Sequence, residues 1–192
     1  MQILNPVIVA PIVAVVVVIG GIVFALIQRA LSKGKEQRVE RWAQAAYALW
    51  TGGEDSATWN RERAQNSLSS WYGADSSKKF FDVIDELRSG QTGNAAWDQV
   101  RALDLLRIGR AADYVDDEDC RKHIAKIGAT LQTTYRSWPE LAQAFEAGMN
   151  AWQDQRGITD QNQRGRVQRN LPKLQRELWP KIDYGASLTL ED

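Results

Sequence analysis

The chain of 192 residues has one cysteine and one histidine. A single cysteine excludes an intramolecular disulfide framework and any cysteine-rich zinc or iron–sulfur site. A single histidine excludes a two-histidine metal motif, and leaves Cys–His as the only histidine-based catalytic pairing. There is no excess of positive charge. The 24 basic and 24 acidic side chains cancel, and a pI of about 6.6 argues against a dedicated nucleic-acid binder, which carries a basic stripe. Long runs that alternate apolar and polar residues are missing, so no strand is expected. No Gly-rich phosphate loop occurs, because Thr51-Gly52-Gly53 lacks the preceding strand and the Lys that such a loop needs. No Gly-x-Ser-x-Gly nucleophile elbow occurs either.

A long apolar run is present. Val7 to Ile27 contains 21 residues without a charged side chain, and a bilayer core of about 30 Å needs about 20 such residues in a helix. Val and Ile disfavour helix in water, but in lipid only internal hydrogen bonding satisfies the backbone. A cleaved signal peptide is the main rival. It would need a basic start and a small-x-small cleavage site, whereas Met1 to Asn5 is uncharged and Ala25-Leu26-Ile27 fits such a site poorly. An uncleaved anchor is therefore expected at residues 7–27, after a short extracytoplasmic N-terminus at 1–6. The basic residues Arg29, Lys33, Lys35, Arg38 and Arg41 follow it, against only Glu36 and Glu40. The positive-inside rule then places the N-terminus outside and the rest in the cytoplasm of a bacterial inner membrane. The basic segment at 28–41 would lie against anionic lipid. Small-xxx-small pairs, Ala10/Ala14 and Gly21/Ala25, would suit a homo-oligomer formed through the membrane helix, although Gly and Ala are also common in membrane helices generally.

Beyond Arg41 the chain carries 19 basic and 22 acidic residues, net −3, and all eight tryptophans. The patterning predicts an all-α domain of about six or seven helices over 42–180, then an irregular tail at 181–192. Residues 35–50 form the first helix, stopped by Gly52-Gly53 and open to fusion with the apolar run. A second starts near Asp55 or Ser56 and ends at Gly73, with Trp59, Leu68 and Trp71 as its apolar points. A third starts at Asp75 or Ser76 and ends before Gly90. The most regular stretch, Asn94 to Tyr114, places Trp97, Val100, Leu103, Leu106 and Ala112 on one stripe. Gly109 inside it costs about 1 kcal/mol against Ala, which suggests a close crossing by another helix. Carboxylates at Asp116 to Asp119 open the next helix and complement its dipole; they lack the alternation and Gly turn of a calcium loop. Ser137 and Glu140 form a capping box with Pro139 in the first turn. Residues 158–170 are expected to be a loop, followed by a short element near 171–179.

The segment from Trp97 to Trp152 resembles a bacterial domain family of unknown function, the one numbered twelve sixty-six. The resemblance rests on Trp97-Asp98, Arg101, Gly109-Arg110-Ala111-Ala112, Tyr114-Val115, the acidic turn at 116–119, and Ser137-Trp138. The chain departs from the family pattern at Ala96, where Gly is expected, and at Cys120, where Ala is expected. The resemblance implies an all-helical bacterial domain and no activity.

Asp98 and Arg101 lie i,i+3 and can pair. With Asp104, Arg107, Arg110 and Asp113 they form a polar side suited to a phosphate or carboxylate, or to a salt-bridged helix face. Cys120 and His123 share a helical face, but an acidic helix start raises a thiol's pKa, which works against nucleophilic catalysis. The leading expectation is a membrane-anchored, non-catalytic module that binds a protein partner, in an envelope or secretion-linked system. Trp97, Asp98, Arg101, Arg110, Asp113, Ser137 and Trp138 are the candidate binding residues. No cofactor, metal or nucleic acid is expected. Two alternatives remain open: an enzyme acting through Asp98, Arg101, Arg110 and Asp113, and an immunity protein that neutralises a toxin at the membrane.

Overall fold

The computed structural model describes residues 6–53, 59–90 and 92–190; for residues 6–25 it describes the backbone only. All regular structure among the described residues is helical. The order is α1 (Pro6–Thr51), α2 (Arg61–Tyr72), α3 (Ser77–Arg88), α4 (Ala95–Ala111), α5 (Asp117–Thr134), α6 (Trp138–Gln155), α7 (Gln161–Arg164) and α8 (Arg166–Lys173). A π turn (Leu174–Leu178) and a 3-10 turn (Trp179–Lys181) continue α8. Among the described residues no helix is long and apolar enough to cross a membrane. The backbone of the span expected at residues 7–27 is helical within α1, and its side chains are described only at Leu26 and Ile27.

Side-chain caps set most of the helix starts. Asn60, Ser76, Asn94, Asp116 and Ser137 each accept a hydrogen bond from the backbone N–H three residues on. Each such cap stabilises a helix by about 0.5–2 kcal/mol relative to Ala. The cap at Asn60 corrects one expected boundary. It starts α2 at Arg61, so Trp59 precedes the helix instead of lying on its stripe. The box at Ser137 is shifted by one residue: Glu140 accepts from the N–H of Arg136, 2.9 Å away, while Ser137 accepts from Glu140.

Helix α4 is central and packs against α1, α2, α3, α5 and α6. It is buried on several faces, including those of Asp98, Gln99 and Arg107, as expected of a helix enclosed by neighbours. The α1 segment from Val39 to Leu49 is almost as enclosed. Ala43, Ala45, Ala46 and Ala48 are all buried beside Trp42 and Leu49, because small side chains let neighbours approach from several directions. Earlier in α1, residues 26–34 are exposed, including Leu26, Ile27 and Leu31 at 60%, 52% and 56%. Gly109 is the close crossing that its sequence position suggested. A Cβ there would fall 2.2 Å from Cζ of Phe80 on α3. Gly109→Ala is expected to destabilise the chain by about 1–3 kcal/mol, since the fully buried ring has nowhere to move. Urea titration should show a lower midpoint at an unchanged slope.

Two segments differ from expectation. Residues 161–164 and 166–170 are helical, where a loop was expected, and α8 runs on into the short element expected near 171–179. Asp160 caps α7 by accepting from the N–H of Asn162. Val167 and Leu174, two turns apart, are both buried and draw α8 and the π turn onto α1. The tail at 182–190 has no regular structure but is firmly held. The indole N–H groups of Trp138 and Trp42 donate to the carbonyls of Ile182 and Tyr184, each at 2.9 Å. Gln132 donates to Tyr184 and Ala186. Leu188 is buried in the notch beside Gly128 and Trp42.

Candidate functional site

The cap on α1 also positions a cleft. α1 stops at Thr51, and Asn170 of α8 donates through Nδ2 to the carbonyl of Leu49 at 3.0 Å, satisfying an otherwise orphaned helix-end acceptor. The last residues of α1, Trp50 and Thr51, form one wall, and Arg166 and Asn170 of α8 extend it. Trp59 and two α2 residues, Arg63 and Trp71, stand opposite, while Asp104, Arg107 and Ile108 of α4 form the floor. The cleft encloses about 670 Å³, within the roughly 300–1,000 Å³ usual for ligand sites.

Tryptophan and arginine alternate in its walls. The guanidinium of Arg63 lies 4.5 Å from the Trp59 ring centre, and that of Arg166 lies 4.2 Å from Trp50. Trp71 meets Trp59 edge-on at 6.2 Å and is itself 64% exposed. Cation–π contacts of this kind are worth about 0.5–1 kcal/mol at exposed sites, enough to hold a guanidinium in place without consuming its N–H donors. On the floor, Arg107 donates to Asp104 through Nε (3.0 Å) and Nη2 (2.6 Å). Burial pushes the Asp104 carboxyl above its ordinary range, and the attraction of Arg107 offsets only part of this. Arg107 is therefore already engaged. Arg63 and Arg166 have no carboxylate partner among the described residues.

Among its described residues the cleft has no nucleophile–base pair. Cys120 is buried on α5, its thiol facing the Leu106 carbonyl at 3.6 Å and pushed up to about 11, chiefly by burial. His123 packs on Phe81, and burial lowers its pKa, helped by the charges of Arg88 and Lys126. Among the described residues no cluster of His, Cys, Asp and Glu could hold a metal ion.

The residues singled out from the sequence lie elsewhere and do not converge. Trp97 is core, between Trp50, Phe145 and Trp152 at 5.1–5.6 Å. Asp98 does not pair with Arg101. It is fully buried and accepts from the N–H and hydroxyl of Thr92, at 3.0 and 2.8 Å, closing the turn before α4. Arg101 donates to the Tyr72 hydroxyl at 3.0 Å and lies against Trp97 and Trp152. Arg110 bridges to Glu40 on α1 at 2.8 Å and to Asp117. Asp113 is exposed and pairs with Arg61. Ser137 caps α6, and Trp138 stacks on Trp179. Asp98, Arg101, Arg110 and Asp113 thus have four separate sets of partners and share no cleft.

Sequence reasoning missed the cleft as a unit. Its residues come from four stretches spread between Trp50 and Asn170, and no spacing links them. The local signals were Asp104 and Arg107 on the polar side of α4, and Trp59 and Trp71 as apolar points of the second expected helix. No curated protein and no solved structure matches the chain. A family model does match it, over residues 23–183, extending the resemblance at 97–152 to the whole helical domain expected at 42–180 and including both walls of the cleft. The chain belongs to the family described as a protein of unknown function, DUF1266.

Proposed function

We propose that the chain is a membrane-anchored, non-catalytic interaction module that presents the tryptophan–arginine cleft to a protein partner on the cytoplasmic side of a bacterial inner membrane. The observation that carries this reading is the cleft itself. Trp and Arg are the side chains most enriched at the energetic centres of interfaces, and here an exposed Trp71 stands beside two guanidiniums that no carboxylate of the described chain neutralises. The anchor is supported by the apolar run at 7–27 and by the exposed Leu26, Ile27 and Leu31 that continue it along α1. The basic residues after it support the orientation. An envelope or secretion-linked system is the setting that fits such a module.

Two measurements test the reading. A photo-crosslinking side chain placed at Trp71 in cells is expected to give a discrete protein adduct, and one placed at the exposed Thr130 of α5 is not. Adducts at both sites, or at neither, would sink the interaction reading. The full chain is expected to stay with membranes through an alkaline wash. Because the sole cysteine is buried, Asn5→Cys is expected to react with an impermeant maleimide from outside intact cells. Extraction by alkali, or labelling only after lysis, would overturn the anchor and its orientation respectively.

A further inference from the structure

From the charge and shape of the cleft we infer that its occupant is a short acidic peptide segment that sets an aliphatic or aromatic side chain beside its carboxylates. The inference rests on the interaction reading above and names the chemistry of the partner. Arg63 and Arg166 each lie over a tryptophan ring, and neither has a carboxylate partner among the described residues, which leaves the planar N–H edge of each guanidinium available. That edge matches a carboxylate through two parallel hydrogen bonds. Asp104 does not compete for them, because it is tied to Arg107 on the floor. The cleft thus carries two positive charges that no carboxylate among the described residues neutralises, in a domain that is otherwise net acidic, with 19 basic and 22 acidic residues beyond Arg41. Two guanidiniums suit a segment with two or three carboxylates. The apolar requirement comes from Trp71. Its ring is open to solvent at the rim, and covering it with an aliphatic or aromatic side chain removes apolar surface from water. A volume of about 670 Å³ holds a few side chains and no folded element.

The test uses the full chain in lipid nanodiscs, titrated calorimetrically with the peptide acetyl-Glu-Leu-Asp-Phe-Glu-amide and with its uncharged counterpart acetyl-Gln-Leu-Asn-Phe-Gln-amide. The acidic peptide is expected to bind at least about tenfold more tightly, the size of one charge-assisted hydrogen bond. Arg63→Gln and Arg166→Gln are each expected to weaken it by about fivefold or more and to flatten its salt dependence, with thermal midpoints lowered by no more than a few degrees. Trp71→Ala is expected to weaken both peptides. Equal binding of the two peptides, or binding indifferent to both arginine substitutions, overturns the inference. Tighter binding of adenosine monophosphate, lost in the same variants, overturns it in favour of a phosphorylated small molecule. A dimer of the full chain that Arg63→Gln dissolves overturns it in favour of a second copy. If the acidic peptide fails while the crosslink at position 71 persists, only the peptide chemistry is wrong; loss of the crosslink as well removes the interaction reading itself.

Discussion

Trp42→Ala is expected to cost about 3–5 kcal/mol of stability, the usual range for deleting a buried aromatic ring. Trp42 is fully buried on α1. Its ring lies 5.2 Å from Trp138 and 5.8 Å from Tyr184, and its N–H is one of the two side-chain donors to the Tyr184 carbonyl. The substitution therefore opens a cavity where α1, α5, α6 and the tail meet, and it frees the tail in particular. Leu188 loses one wall of its notch, the other being Gly128. Denaturant titration measures the total loss, and limited proteolysis measures the tail. Cleavage within 182–190 should quicken well before global unfolding. Trp42→Phe separates the two contributions, since it keeps most of the apolar area and removes the donor, for an expected loss of about 1–2 kcal/mol. A loss below about 1 kcal/mol for Trp42→Ala would mean that the four-way junction is not the keystone its burial implies.

Arg107→Met is expected to be of similar size, about 3–5 kcal/mol at pH 7.5, for a different reason. The Asp104–Arg107 side chains are only 14% and 9% exposed, and removing one member of a buried pair leaves an uncompensated charge. The effect should depend on pH. Burial already holds Asp104 above its ordinary range with Arg107 present, and without Arg107 its carboxyl rises further. The folded variant then binds a proton more tightly than the unfolded chain does, so its stability relative to wild type improves as pH falls through that raised range. The deficit should accordingly be smaller at pH 5 than at pH 7.5. Adding Asp104→Leu should recover most of it, because two apolar side chains of similar volume replace a buried ion pair at little cost. A deficit that stays constant with pH, or that the double substitution does not relieve, would show that packing and not charge explains the loss. Arg107 also lies against Tyr47 and Trp59, and this contact sets the part of the deficit that low pH cannot restore.

Local chemistry was legible in the sequence, and distant assembly was not. The caps at Ser76, Asn94, Asp116 and Ser137, the stop at Gly52-Gly53 and the close crossing at Gly109 all follow from signals within a few residues, where backbone hydrogen bonding and Cβ sterics decide the outcome. The α7–α8 region escaped because its buried apolar points, Val167 and Leu174, are separated by Gln168, Arg169, Asn170 and Pro172 with only Leu171 between, which a periodicity argument reads as a break. Tertiary burial against α1 outweighs that preference. Asp98 and Arg101 illustrate a second limit. Spacing i,i+3 permits a pair, but the turn at Thr92 offers Asp98 two donors, and the aromatic surface of Trp97 and Trp152 offers Arg101 a better seat. The cleft escaped entirely because its tryptophans and arginines serve helices that meet only in three dimensions.

The unbroken run of α1 has a mechanical consequence. From residue 27 to Trp50 the helix rises about 35 Å at 1.5 Å per residue, with no turn or loop in between. The same rod that leaves the apolar run ends as a wall of the cleft. Whatever fixes residues 7–27 therefore sets both the stand-off of the cleft and the compass direction in which it opens. A partner would be met at one height and one bearing, and a rotation of the rod about its own axis would swing the mouth of the cleft through the same angle.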